Sequence, residues 1–334
     1  MKNVEDLSER DLKSIVDQYD FGELHRYKKI DGGSTPCAMI QTTSGNYFVK
    51  YIDKSITDER MINFTNHVML SLSSLKIKQP VIYKTINGSL LSTKGCMVFD
   101  YLEGSSETYI SENHIQSVFT YLARYNSGLG HLTVPAWIGE FANHWDRADS
   151  LTYLLDDFAP HMDNKPIVDK VTEVLADAFK ILNGHRSELE ALPRQLIHGD
   201  LGGNNIIRSD KASTSPVVID LTPYHENHLY SICVPIYWAY IYFAKKENIE
   251  FENISEALDA YNQQFRLAED EKSLFFELIV KVACRMVVVM ILFDLDSIKS
   301  QVKPFIKFSQ PISTVHALKK ILLEKDKITS IINF

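Results

Sequence analysis

The sequence predicts an α+β protein in two lobes, with the boundary near Leu102. Three observations carry that reading. Strand-like runs broken by Gly, Pro and Asn turns fill residues 1–102, interrupted by a single stretch with helical spacing. From residue 103 onward the apolar residues recur mostly at helical spacing. No internal repeat or Pro/Ser-rich tether separates the regions, so the lobes join through a direct connection. The expected domains are 1–102, a small antiparallel sheet, and 103–334, a larger mainly helical lobe. A chain of 334 residues exceeds one typical core and suits such a division.

Taken in order, a helix is expected over residues 8–19, where Leu12, Ile15, Val16 and Tyr19 share one side. Strands follow at 23–30 and 37–41, joined by the turn Asp31-Gly32-Gly33-Ser34-Thr35-Pro36. Thr43-Ser44-Gly45-Asn46 is a hairpin signal leading into a third strand, 47–52, which carries Lys50. Residues 57–75 have helical spacing through Met61, Phe64, Val68, Leu72 and Leu75. A strand at 81–86, the turn Asn87-Gly88 and a strand at 90–102 complete the lobe. Met97, Val98 and Phe99 are apolar in a row, as in a strand covered on both faces. The second lobe reads as helices at 113–129, 150–158, 167–192 (one long or a pair), 229–245, 254–265, 271–293 and 312–324. Its most apolar run, Leu278 to Phe293, contains Lys281 and Arg285 and reads as a buried helix, too interrupted to span a bilayer.

One stretch breaks the helical pattern. Between Arg194 and Pro223, two short apolar pieces, 195–197 and 216–219, flank a polar loop. The first opens into His198-Gly199-Asp200, Asn205 lies five residues after Asp200, and the second piece ends in Asp220. Two strands thus each deliver a carboxylate to one end, with a side-chain amide between them. Hard oxygen donors in that arrangement suit magnesium and a polyphosphate beside a base. Four fixed residue types at fixed offsets arise by chance at on the order of 10⁻³ per chain of this length. Asp residues capping turns beside Gly and Asn are the plainer alternative.

His198-Gly199-Asp200-Leu201-x-x-x-Asn205 followed by Val217-Val218-Ile219-Asp220 resembles the aminoglycoside phosphotransferase / choline kinase group of small-molecule kinases. The order of lobes resembles that group too, which implies a protein-kinase-like two-lobed fold: a five-stranded N-lobe with one inserted helix and a helical C-lobe. By that resemblance Asp200 is the catalytic base for a substrate hydroxyl, while Asn205 and Asp220 hold Mg²⁺ on the nucleotide phosphates. Lys50, on the third strand in Tyr47-Phe48-Val49-Lys50-Tyr51, is placed to pair with the phosphates, although an exposed strand lysine is common. The turn at Gly32-Gly33-Ser34 lies where such kinases fold a flap over the phosphates, and the Ser34 hydroxyl is the side chain it could offer; it is not GxGxxG, and a plain hairpin turn is an equal reading. Asp100 and Leu102 mark the connection whose backbone would meet the adenine edge. A glutamate partner for Lys50 has no clear place: Glu59 falls at the start of the helix.

Other classes fit less well. Gly199 stands where protein kinases carry an arginine, and Leu-Thr-Pro rather than Phe-Gly follows Asp220, so a small-molecule hydroxyl is the better expected acceptor than a peptide. A formal charge of −8 argues against nucleic acid as a partner. The four cysteines are scattered without a zinc spacing. His225-Glu226-Asn227-His228 is not HExxH and reads as the start of a surface helix. Trp145-Asp146-Arg147 and Asp156-Asp157 are candidates for an acceptor pocket, against the default of solvated helix charges. No GxSxG elbow points to a hydrolase. The N-terminus lacks a signal-peptide core and no membrane association is expected, so a cytoplasmic location is. The expected function is Mg²⁺-dependent phosphoryl transfer from ATP or GTP to the hydroxyl of an aminoglycoside, amino alcohol, sugar or similar compound. The alternative is a nucleotide-binding regulatory module without transferase activity.

Overall fold

The computed structural model describes residues 7–30, 35–52, 58–138, 165–209, 215–245, 248–299 and 309–332. Helix α1 (Glu9–Val16) begins at a capping box: Ser8 Oγ accepts from the Asp11 N–H and the Asp11 carboxylate accepts from the Ser8 N–H. The strands β1 (Leu24–Ile30), β2 (Cys37–Thr42), β3 (Gly45–Tyr51), β4 (Ile82–Tyr83) and β5 (Cys96–Asp100) form an antiparallel sheet in the order β1-β2-β3-β5-β4. Helix α2 (Glu59–Ser74) is inserted after β3.

Side-chain alternation explains how this sheet is covered. Ala38, Ile40, Tyr47, Val49 and Val98 point to one face, where Leu12, Ile15 and Val16 of α1 join them in a buried cluster. On the other face Met97 packs with Ile62 of α2, Leu90, Ile82 and Phe99. Thus β5 is buried on both sides, as its unbroken apolar run requires.

Two strands are shorter than their apolar runs suggest. Polar side chains capture the backbone there. Thr85 Oγ1 accepts from the Ser89 N–H, Ser89 Oγ from the Leu91 N–H, and Ser92 Oγ from the Cys96 N–H. Only 82–83 and 96–100 remain in the ladder.

Further along lie β6 (Gln195–His198), β7 (Ile206–Ile207), β8 (Val217–Val218) and β9 (Pro223–Glu226), paired as β6–β9 and β7–β8. The chain forms two compact units: 1–105 with 207–219, and 106–206 with 220–334. The first unit gains its later segment through a bridge in which Ser105 and Arg208 exchange backbone hydrogen bonds at 2.8 and 2.9 Å.

The second unit comprises α3 (Glu112–Gly130), α4 (Lys165–Gly184), α5 (Arg186–Ala191), β6, β9, α6 (His228–Ile236), α7 (Phe251–Asn262), α8 (Glu269–Ser273), α9 (Phe275–Lys299), α10 (Ser309–Leu323) and α11 (Lys325–Ile331). Beyond Pro235 the α6 segment relaxes into π-helical turns over Tyr237–Tyr242. The expected helix at 167–192 is a pair, α4 and α5. The helix expected at 150–158, with Trp145, Asp146, Arg147, Asp156 and Asp157, lies outside the described residues. Among the described residues no helix is long and apolar enough to cross a membrane.

Leu12 is fully buried between α1 and the sheet. Leu12→Ala should lower the stability of this unit by about 2–5 kcal/mol, measured by urea unfolding. A change under about 0.5 kcal/mol would contradict the packing described.

Candidate active site

β6 and β9 run antiparallel from Gln195↔Glu226 to His198↔Pro223. Asp200 lies two residues beyond the end of β6, and Asp220 three before the start of β9, so both lie at the same end of this ladder. The two apolar pieces at 195–197 and 216–219 that lead to these carboxylates are not paired with each other. Instead Val217–Val218 pairs with β7, and the strand alongside β6 is β9, which follows Asp220.

Backbone contacts fix the loop. The Gly199 N–H donates to Thr222 O at 2.8 Å, which ties the turn after Asp220 to the peptide before Asp200. His198 is fully buried, and its Nδ1 accepts from the Asp200 N–H at 3.1 Å. That bond leaves the ring proton of neutral His198 on Nε2. Asn205 Nδ2 donates to the Asp200 carbonyl oxygen at 2.6 Å and lies 3.5 Å from its carboxylate Oδ2. Asp200 itself is exposed, whereas Asn205 is buried.

Two glycines make the approach possible. A Cβ on Gly199 would stand 2.9 Å from Tyr224 Cβ. One on Gly203, in the 3₁₀ turn Gly203–Asn205, would meet Thr108 O at 2.3 Å. Asp220 adopts φ +55°, a left-handed conformation that Asp tolerates better than most residues.

Behind the loop is a buried polar layer. Lys281 of α9 pairs with Glu226, which Arg194 also approaches at 3.8 Å. Burial raises the Glu226 pKa, but the charge and hydrogen bond of Lys281 outweigh it and leave it lowered. Glu271 accepts from His228 Nε2 at 2.9 Å and from Asn227 Nδ2 at 2.8 Å. Burial opposes its ionisation as well, yet the His228 and Asn227 bonds dominate and hold its carboxyl at about 2. Arg285, also on α9, donates to Gly199 O at 2.9 Å and to Tyr230 OH at 3.0 Å.

The residues 225–228, expected as a surface helix start, are therefore mostly interior: Glu226, Asn227 and His228 are buried, and His225 and Glu226 belong to β9. Their charges are tolerable inside because Lys281 and His228 answer the two carboxylates. The available signal was Lys281 and Arg285, two cations one turn apart in an apolar helix, which require acceptors.

In the first unit, Lys50 sits half-buried on β3 opposite Cys37 and Met97, hence on the α2 face of the sheet. Glu59, the first residue of α2, is exposed. Asp100 ends β5; its Oδ1 accepts from the Val81 N–H at 2.6 Å, and burial raises its pKa. Leu102, half-buried, follows two residues later. Ser34 lies outside the described residues. Among the described residues no group of three or more His, Cys, Asp or Glu is placed to hold a metal. The donors that the family resemblance implies are a carboxylate, Asp220, and an amide oxygen, Asn205 Oδ1, since Asn205 Nδ2 is engaged by Asp200. Magnesium on a nucleotide is commonly held by such a small set, with phosphate and water completing the shell, so the residues fit.

Glu271 gives this unit an acid dependence. Its folded pKa lies below the ordinary 4.5, so its contribution is complete above about 4.5 and is lost as pH falls toward about 2. Glu271→Gln should flatten the stability profile of urea midpoints between pH 5 and 2, by at most about 3 kcal/mol. An unchanged slope would contradict the pairing with His228.

With this geometry in view, the likenesses to known proteins are informative. The model of the phosphotransferase enzyme family (APH) matches residues 27–228, well over half of the chain and a span that includes Lys50, Asp200, Asn205 and Asp220. A homoserine kinase of Bradyrhizobium sp. is 25% identical over 213 residues, covering 60% of this chain and 60% of that protein. The chain thus matches about 60% of the length of such curated relatives. The solved structure of a microcompartment-associated aminopropanol kinase superposes with TM-score 0.70 at 12% identity, covering 97% of this chain and 98% of that one. An amicoumacin kinase in complex with AMP-PNP and Ca²⁺ gives TM-score 0.65 at 12% identity, covering 94% and 93%. The fold is the protein-kinase-like fold of small-molecule kinases, and the chain belongs to the phosphotransferase enzyme family.

Proposed function

We propose that this protein moves the γ-phosphoryl group of ATP or GTP to a hydroxyl of a small, amine-bearing alcohol. The observation that carries the reading is the loop at the end of β6 and β9, where an exposed carboxylate, Asp200, is held at its backbone by His198 and Asn205. Phosphoryl transfer asks a protein for positioning and charge neutralisation more than for covalent chemistry, and these groups suit that demand.

In this reading Asp200 accepts the proton of the attacking hydroxyl as the oxygen–phosphorus bond forms and the γ-phosphoryl leaves the nucleoside diphosphate. Asn205 Oδ1 and Asp220 are the oxygen donors toward a magnesium ion on the nucleotide. When bound, the ion supplies neutralisation of the phosphate charge. Lys50 pairs with the phosphates, the Ser34 hydroxyl donates to them, and the backbone at Asp100 and Leu102 meets the base. The nucleotide itself is supported by the amicoumacin kinase, whose structure was solved with AMP-PNP and Ca²⁺. Homoserine and aminopropanol, named for two of the similar proteins, each join an amine to a hydroxyl, which supports that acceptor class.

A regulatory module that binds nucleotide without transferring phosphate is the second reading. It is favoured by the sequence Gly32-Gly33-Ser34-Thr35, which departs from the GxGxxG pattern of a phosphate-covering flap.

Asp200→Asn should keep Mg²⁺–nucleotide binding within about threefold and lower phosphorylation of an amino-alcohol panel by about 10²–10⁴-fold. Calorimetric titration with AMP-PNP and a coupled ADP-release assay measure the two. A variant as active as the parent would remove Asp200 from the role of base.

A further inference from the structure

Asp200 is exposed, and among the described residues its carboxylate has only the long Asn205 contact, so its direction depends on its backbone. The peptide unit joining Gly199 to Asp200 is planar, and both of its polar ends are engaged. Its N–H donates to His198 Nδ1 at 3.1 Å, and its carbonyl oxygen accepts from Arg285 Nη1 at 2.9 Å. The next peptide is held through the Asp200 carbonyl by Asn205. With both planes flanking its Cα fixed, the Cα–Cβ bond of Asp200 has one direction.

Arg285 reaches this carbonyl from α9, 86 residues away in sequence. It is itself oriented: Nη1 also donates to Tyr230 OH at 3.0 Å, and the guanidinium carbon lies 5.0 Å from the centroid of the Tyr224 ring. Tyr224 in turn fills the space that a side chain on Gly199 would need. Gly199, Tyr224 and Arg285 therefore pack as one stack behind the loop, and the guanidinium closes it by a charge-assisted bond.

We propose that Arg285 is a positioning residue for Asp200: by holding the Gly199 carbonyl it fixes the peptide plane that aims the base. The proposal rests on the phosphotransferase reading above. A small misplacement of a catalytic group, caused from outside the reacting atoms, can cost on the order of 10²-fold in rate. A residue that only stabilises the fold would change thermal stability or nucleotide affinity without selectively lowering turnover by the folded enzyme.

The test uses the full chain and slow Mg²⁺–ATP hydrolysis, with water as acceptor, so that no acceptor needs to be known. Arg285→Met keeps the aliphatic stem and removes the donors. It should lower kcat about 10- to 100-fold with KM for ATP within about twofold, and millimolar guanidinium should restore part of the loss in Arg285→Ala. Tyr230→Phe, which deletes only the hydroxyl that orients Arg285, is the second variant should the first fail to fold, and should lower kcat about three- to tenfold. Asp200→Asn separates the two claims. If Asp200→Asn turns over as fast as the parent, in ATP hydrolysis or, where the parent shows none, with the amino-alcohol panel, the base assignment falls first and takes the positioning role with it. If Asp200→Asn is inactive while folded Arg285→Met keeps kcat within twofold, the positioning role is overturned and the base assignment stands. Unchanged kcat in Tyr230→Phe, where Arg285→Met cannot be folded, overturns it equally.

Discussion

The loop at His198–Asn205 depends on one constraint: β6 must lie against β9, which returns from Asp220. That ladder is short, four residues on each side. A two-stranded ribbon of this size does not hold itself in water. It persists because it is buried against helices on either side. Gln195 Nε2 donates to the Asn126 carbonyl of α3 at 2.7 Å, while the Glu226 end is tied to Lys281 of α9. The exposed carboxylates at one end of the ladder are presented by a backbone whose other contacts are interior.

Charge is used twice in this arrangement, with opposite consequences. At the open end Asp200 and Asp220 are exposed to solvent. At the closed end Glu226 and Glu271 are interior, and each is tolerated only because specific donors outweigh the cost of burial. Removing one partner there leaves an uncompensated charge, which costs more than the pair contributes. The layer therefore specifies where β9 sits more than it adds net stability.

The alternation of apolar residues in β2, β3 and β5 was legible in the sequence, as was the order of five strands around one helix, because period-two patterning reports directly on burial. The placement of Lys50 on the third strand followed from the same patterning. Strand ends were not legible, since the hydroxyls of Thr85, Ser89 and Ser92 compete for backbone groups in a way no apolar count registers. The proximity of Asp200 to Asn205 follows from a local turn and so was written in their spacing. β9 was missed because Pro223-Tyr224-His225-Glu226 is short, led by proline and ends in two adjacent polar residues, without the apolar alternation of a strand. Its burial is decided by Lys281 and Glu271, some 45 to 55 residues downstream in the chain. Arg285 was visible only as a charge inside an apolar helix; its partner, a backbone carbonyl, has no sequence signature at all.

The central claim is that a phosphoryl group leaves the nucleotide and arrives on a hydroxyl. Incubating the protein with Mg²⁺–ATP and a panel of amino alcohols, including homoserine and aminopropanol, and following the mixture by ³¹P NMR tests it most directly. The account predicts a new phosphomonoester resonance that grows in step with ADP. Nucleotide binding with no phosphomonoester from any amine-bearing acceptor, and none from aminoglycosides or sugars, would contradict it.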